Sequence, residues 1–364
     1  NRKRICVTAS DGITPLYVEI KEWSTATQTA YLWVRVPRVN PGEDTHLYLY
    51  YDPLHAEMTD YVGDTASETA WNVWNDGYKF VGIKPSGGQL LDSTRNQNHG
   101  TIYGATEVDG PLGRCLSFDG VDDYFVTSVP ISYNPSSGRT IESVFVPDAE
   151  AFNYDTVFLL NQYVVSTERM CLDLRVVPNE YAGSMMGVLN SSSGLVLLQS
   201  AYTDKELNYG ALAANGSQSW LYLDGSVQDT QEGLSAIAAQ AYIFGRQVQP
   251  SQRFFAGTSI FNAISSVARS PAWIAATNLS LRDELIVYSD PGAPLTLAGY
   301  ADAYDYLSWT RRYRRPGAWK CQINRYLPAA KEFIPGRLVH FRRNGEDRLG
   351  LIETRQISVD VSGR

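Results

Sequence analysis

The sequence predicts an all-β protein, with two β-sandwich domains followed by a smaller C-terminal β-rich module. Three observations predict it. Tyr (23), Gly (29) and Pro (17) are plentiful, a balance that suits strands and turns better than long helices. Short runs of β-branched and aromatic residues recur between turn signals along most of the chain. The length of 364 residues exceeds one small core and predicts two or three domains.

The first domain spans residues 1–75. RICVTA, LYVEIKEW, AYLWVRVP and HLYLYYDP read as its strands, with turn residues such as Asp11-Gly12 and Asn40-Pro41-Gly42 between them. In HLYLYY a period of two puts Leu47 and Leu49 on one side, Tyr48 and Tyr50 on the other. One side is core. The tyrosine side is a second packed layer or a platform on which sugars stack, since an aromatic ring joins apolar area to a polar tip. The stretches DGITPLYVEIKEW, AYLWVRVPRV, LYLYYDPLHA and AWNVWNDGYKFVGI resemble a small domain of uncharacterised function. That domain commonly precedes laminin-G-like domains in secreted and surface proteins of bacteria and archaea.

The second domain spans residues 76–280. LLDSTRNQNHGTIYGA, LGRCLSFDGVDDYFV, RTIESVFV, WLYLDGSV, YIFGR and FFAGTSIFNAISSVARSPAWIA follow one another, each a strand or hairpin. Asp119-Gly120 and Asp224-Gly225 set Gly where a tight turn needs positive φ. Ser270 is placed to cap a helix, Pro271 to fill its first turn, and Ala272 to Asn278 to continue it for about two turns. In order and spacing these fragments resemble a laminin-G-like, concanavalin-type jelly roll.

The third module spans residues 281–364. It carries 14 Lys and Arg against 10 Asp and Glu, leaving 17 against 29 in the rest of the chain; such a sign change marks modules with different neighbours. YLSWTRRY and AWKCQINRY read as strands around Arg315-Pro316-Gly317, which suits a turn. RLVHFRR and RLGLIET repeat the pattern around Asn344-Gly345, a strong hairpin signal. The succession ELIVYSDPG, YLSWTRRY, Pro-Gly and GLIET is similar to the opening of tail-tip, or baseplate-hub-like, proteins of long-tailed bacteriophages. Those proteins are longer than this segment, so the resemblance implies a module that is incomplete or completed by another chain.

The stretch LSFDGVDDYF, Leu116 to Phe125, places Asp119, Asp122 and Asp123 between two apolar runs. The turn of a hairpin is the favoured reading, since Asp before Gly is routine turn chemistry. The laminin-G-like resemblance implies a calcium alternative at the sandwich rim, built from Asp92, Asn96, Asp119 and Asp122, with Asp123 beside them. Calcium takes several hard oxygen ligands at one point. Where the family's final strand motif carries an acidic pair, this chain has Ile260 and Phe261. Trp71, Trp74, Tyr78 and Tyr103, in the segments joining the first two domains, are the candidates for stacking a ligand.

No catalytic residues emerge, and a non-enzyme is expected. Glu107-Val108-Asp109 begins an acidic alternation, but Leu112 stands where a third acid is needed. GxSxG, HExxH, GxxxxGK and GxGxxG are missing from the sequence. Cys6, Cys115, Cys171 and Cys321 form no CxxC pair and read as buried free thiols. The run Arg311-Arg312-Tyr313-Arg314-Arg315 sits in a chain of net charge -8, which disfavours a nucleic-acid partner. No window is long and apolar enough to span a bilayer.

Together these readings predict a structural and adhesive component of a phage tail tip, located in the virion tail. Other tail proteins, a host surface glycan or protein, and copies of itself, in a trimer by the same resemblance, are its expected partners. The competing expectation is a secreted carbohydrate-binding module or an accessory domain of a carbohydrate-active enzyme.

Overall fold

The computed structural model describes residues 2–287 apart from short stretches at 41, 43, 135, 153–155, 166–167, 176–182, 192–193, 233–236 and 247–252, and beyond 287 the strands of two hairpins. Two compact units are present, Asn1–Val287 and Tyr288–Arg364. The described structure is nearly all β, as the composition predicts.

The N-terminal part of the first unit is a small sandwich of two three-stranded sheets. One sheet orders Pro15–Leu16, Ile5–Thr8 and Tyr48–Tyr51; the other orders Thr29–Val34, Val18–Ser24 and Val62–Asp64. Val18 and Ile20 enter a core with Ile5, Val7, Leu16 and Val62. Strand alternation then turns Glu19 and Lys21 the other way, yet both are buried as well. They face the jelly roll. Trp74 Nε1 donates to Glu19 Oε2 at 2.5 Å and Ser93 Oγ to Oε1 at 2.7 Å, while Lys21 Nζ donates to the Leu112 carbonyl. Burial pushes the Glu19 carboxyl up to about 7 and the Lys21 ammonium down to about 8. Tyr48–Tyr51 is an edge strand, so its leucines part company: Leu47 packs on the core, whereas Leu49 is exposed.

The jelly roll is one continuous antiparallel ladder. It runs from Gly194–Ala201 through Ser184–Ser191, Glu168–Arg175, Thr156–Val165, Tyr242–Phe244, Tyr124–Thr127, Gly100–Tyr103, Gln89–Asp92, Tyr78–Ser86, Ala256–Ser265, Arg139–Pro147, Asn208–Ala214 and Gln218–Leu223 to Ser226–Glu232. Gly113–Asp119 lies off this path, paired with Thr106–Gly110 and Ala256–Ser265. The curved ladder encloses Phe80, Phe118, Phe125, Ile141, Phe145, Phe244 and Phe255.

Arg139–Pro147 is buried along almost its whole length. Ile141 and Phe145 point into the enclosed core. Val144 points into a second cluster with Trp74, Tyr78, Tyr209 and Phe261, which Trp33 of the N-terminal sandwich and helix α1 (Pro271–Leu281) close over. The helix starts where Ser270 and Pro271 predict, with Ser270 Oγ accepting from Trp273 N at 3.3 Å. It runs to Leu281, one turn beyond the predicted end, because Ile274, Asn278 and Leu281 are all buried and tertiary packing sustains the last turn.

Two predicted turns differ. Leu223 pairs with Ser226 across Asp224 (φ 48°) and Gly225 (φ 81°), the two-residue hairpin expected of WLYLDGSV. By contrast, the Asp119–Asp123 segment is not a hairpin turn: Gly113–Asp119 and Tyr124–Thr127 do not pair with each other, and the former's Phe118 packs across the core on Phe244 beside the latter. It is a crossover between opposite walls. In the second unit, Tyr306–Arg312 pairs with Arg315–Gln322 and closes at Arg312 opposite Arg315. Pro316 and Gly317 therefore lie within the second strand rather than in the turn. Leu338–Arg343 pairs with Glu346–Leu351, Arg343 opposite Glu346, and the predicted Asn344-Gly345 turn lies outside the described residues.

Candidate functional site

The crossover forms a polar cluster on the jelly-roll rim. Oxygens of Asp119, Asp122 and Asp123 lie within 4.8 Å of one another. Asp123 is the buried member and anchors the group. Its Oδ2 accepts from Asp119 N at 2.9 Å, and Asp119 Oδ1 accepts from Val121 N at 2.8 Å. Gly104, at φ +74°, leaves room for this carboxylate: a Cβ there would stand 1.9 Å from Asp123 Oδ1. Burial, then the charges of Asp119 and Asp122, push the Asp123 carboxyl above its ordinary value against the pull of the Asp119 N–H.

Beside the cluster, Tyr103 and Tyr124 are cross-strand partners whose rings stack at 4.5 Å and 13°. The Arg246 guanidinium lies 3.9 Å from the Tyr124 ring centroid. Arg246 follows the strand on one side of Tyr124 and Tyr103 belongs to the strand on the other. Tyr124 is thus sandwiched, and Tyr103, 44% exposed, offers its outer face to solvent. The constellation joins an aromatic face, a cation held by stacking and three carboxylates of one crossover. Such a set accepts hydrogen bonds from hydroxyls and packs the apolar face of a ring.

The proposed calcium ligands do not come together. Asp92 and Asn96 lie at the Gly100 end of Gly100–Tyr103, and the acidic cluster lies at its Tyr103 end, about 10 Å along the strand. The Asp92 carboxylate is committed to structure: it accepts from Val81 N, Thr94 N, Thr94 Oγ1 and Asn98 N at 2.8–3.0 Å. Asn96 Nδ2 is turned to the Lys79 carbonyl at 3.1 Å. The rim triad Asp119, Asp122 and Asp123 still matches the hard-oxygen donors calcium takes, with carbonyls and water needed to complete the 6–8 ligands. Ile260 and Phe261, at the family's acidic positions, are buried core, and Phe261 packs on Trp33 and Trp74.

The aromatic candidates divide. Trp74 and Tyr78 are buried and meet edge to face at 5.4 Å, which removes them from any ligand. Trp71 is half-buried at the end of the short helical turn Glu68–Trp71. Tyr103 alone of the four presents an exposed ring at a polar cluster. Its partners Tyr124 and Arg246 were missed because only strand pairing brings residues 103, 124 and 246 together. On the N-terminal sandwich, Arg4, Ile5, Trp23, Tyr51, Asp52 and Pro53 line a shallow groove of about 380 Å³. Tyr51 lies there on the leucine side of the strand; on the predicted tyrosine side Tyr48 is exposed and Tyr50 half-buried, their ring centroids 6.3 Å apart, so that side is a partly open surface.

Several solved structures are similar to this chain. Domain 4 of AbnA, a GH43 extracellular arabinanase from Geobacillus stearothermophilus, in complex with arabinotriose, shares 15% identity, covering 54% of this chain and 96% of that one, with a TM-score of 0.44. The receptor-binding domain of botulinum neurotoxin D shares 12% identity over 57% of this chain and 53% of that one, at 0.44. A Trypanosoma rangeli sialidase mutant displaying trans-sialidase activity shares 14%, covering 58% and 34%, also at 0.44. This chain spans about half the length of the neurotoxin structures it matches. No curated protein matches. Residues 1–72, the N-terminal sandwich whose motifs carry the first resemblance, match the family described as Domain of unknown function (DUF2341).

Proposed function

We propose that the jelly roll is a non-catalytic glycan-recognition module, and that its rim is the binding surface. One observation carries this reading: the exposed Tyr103 ring, backed by Tyr124 and Arg246, stands next to three convergent carboxylates of the crossover between two strands. Tyr103 covers the apolar face of a sugar, and the carboxylates accept from its hydroxyls directly or through a bound calcium ion. A glycan array probed with the whole chain, with and without calcium, tests it. Binding that falls at least about tenfold in Tyr103→Ala is the expected result; an array blank under both conditions refutes the reading.

The setting we propose is the tip of a phage tail, with the sandwiches as adhesive domains and the C-terminal module as the part that joins other tail proteins. The tail-tip-like motifs support it, together with the two hairpins among the described residues of the second unit. Sedimentation of the purified chain is the test: a symmetric homo-oligomer, a trimer by the resemblance, is expected. A strictly monomeric chain would instead favour a secreted carbohydrate-binding module.

A further inference from the structure

A second pocket opens at the other end of the same strands. Its volume is about 290 Å³; Lys79, Arg139, three asparagines (Asn96, Asn98, Asn134) and two serines (Ser137, Ser266) supply its polar lining, and no Asp or Glu lines it. In a chain of net charge -8 this is a local inversion of sign. Arg139 forms the floor. It begins the strand Arg139–Pro147 and, by alternation with Ile141, points into the enclosed core, only 2% exposed.

Its bonding is incomplete. Nη1 donates to the Ile131 carbonyl at 3.4 Å and to Tyr242 Oη at 3.2 Å, and the Tyr242 ring centroid is 6.0 Å away. Nε is buried without a partner. No carboxylate pairs with Arg139, or with Lys79 at the mouth, among the described residues. A buried guanidinium is costly unless an anion and hydrogen bonds compensate it, and an unsatisfied buried N–H calls for a partner. A strut that only propped the neighbouring loop would need neither the open pocket nor the second cation.

We infer that this pocket binds an oxyanion and that the anion belongs to an acidic sugar, as its carboxylate or sulfate. The amides argue for a sugar over a bare mineral anion. Asn134 Oδ1 accepts from Ser136 N and Oγ, which leaves its Nδ2 as a free donor; Asn96 Nδ2 is spent on backbone carbonyls, which leaves its Oδ1 as a free acceptor. An inorganic anion uses donors alone, whereas a hydroxyl beside the charge uses both kinds. The volume sits at the small end of ligand pockets and suits one sugar unit. The choice of sugar rests on the glycan-recognition reading, though the residues are different.

Isothermal titration of the whole chain with glucuronate, glucose 6-sulfate, glucose and sodium sulfate decides the matter. Either acidic sugar binds at least about tenfold more tightly than glucose and than sodium sulfate, and the preference is lost in Lys79→Glu and in Arg139→Met. Lys79 is exposed and its change leaves the fold intact. Arg139→Met removes an uncompensated charge from a buried site, so its melting temperature holds or rises. Equal binding of glucose and glucuronate, inorganic sulfate as tight as the sugars, or unchanged affinity in Lys79→Glu each overturns the proposal. The two sites fail separately. Tyr103→Ala leaves this preference untouched, and a blank array with glucuronate still bound by wild type sinks the rim reading alone.

Discussion

The paired strands Gly100–Tyr103 and Tyr124–Thr127 carry opposite charge at their two ends. At the Tyr103 end, Asp119, Asp122 and Asp123 crowd together; at the Gly100 end, Lys79 and Arg139 line a pocket with amides, and the one carboxylate nearby, Asp92, is spent on four donors and does not line it. The acidic end comes from one short crossover whose backbone N–H groups hold its own carboxylates. The cationic end is gathered from residues 79 to 266 and exists only once the ladder has closed. A site made by local turns survives changes elsewhere in the fold, whereas a site made by topology depends on the residues that set loop positions. Asp92 is the chief of these at the cationic end.

Asp92→Ala should therefore have the largest effect and act on one end only. It strands four donors that now share one buried carboxylate, at a cost of about 4 kcal/mol in line with 1–3 kcal/mol per unsatisfied group partly relieved by water. Urea unfolding would show the loss. In the folded fraction, the pocket loses its Asn96–Asn98 wall and its preference for acidic sugars, while the response of the acidic end to calcium stays. Equal damage to both ends would refute the separation.

The domain interface sets the pH background against which the two ends are compared. Glu19 titrates near 7 in the folded state because burial disfavours its charge, against about 4.3 when unfolded. Between these values the folded chain holds a proton that the unfolded chain has lost, so stability is fully present below about 4.3 and falls as pH rises to about 7, by up to about 3 kcal/mol. Lys21 acts in the opposite sense at higher pH: with its folded value near 8, stability drops as pH falls from about 10.4 to 8. Glu19→Gln should flatten the lower window in thermal melts at pH 5 and 7.5. A slope unchanged by Glu19→Gln would assign it elsewhere.

The contrast between the ends also marks what could be read from the residues. The two sandwiches, the Asp224-Gly225 hairpin and the Ser270 cap were legible because local turn and capping chemistry sufficed. The acidic triad was visible as a cluster, but its role as a crossover was not, because pairing with Ala256–Ser265 rather than with Tyr124–Thr127 is a non-local choice. Glu19 and Lys21 alternate with Val18 and Ile20 as an ordinary solvent face would. Only docking of the second sandwich buries them. Arg139 offered no signal, since an arginine at a strand's start differs from a surface arginine only through what closes over it.

At the acidic end, Gly104→Ala should cost about 2 kcal/mol. A residue held at positive φ carries strain of about 1–3 kcal/mol, and the new methyl meets Asp123 Oδ1. Asp123 must swing away, so the variant should lose any calcium-dependent rise in melting temperature while keeping acidic-sugar binding at the far end. Intact calcium response in Gly104→Ala would detach Asp123 from the metal.

Asp122→Asn is the smallest perturbation and the sharpest, because its sign should reverse with the medium. Asp122 is exposed, so removing its charge changes stability by no more than about 0.5 kcal/mol. Without calcium the change is a slight gain, since one of three crowded negative charges is gone and the burdened Asp123 ionises more easily. With calcium at a hundredfold excess over its dissociation constant, wild type gains about 2.7 kcal/mol from binding. The asparagine variant, one formal charge poorer, gains less and becomes the weaker protein. Melting curves of both proteins in chelator, calcium and magnesium read this crossing directly, with magnesium the control because it prefers a tighter octahedral shell. Parallel curves in all three media would leave the triad as surface charge, and the rim would then rest on Tyr103, Tyr124 and Arg246 alone.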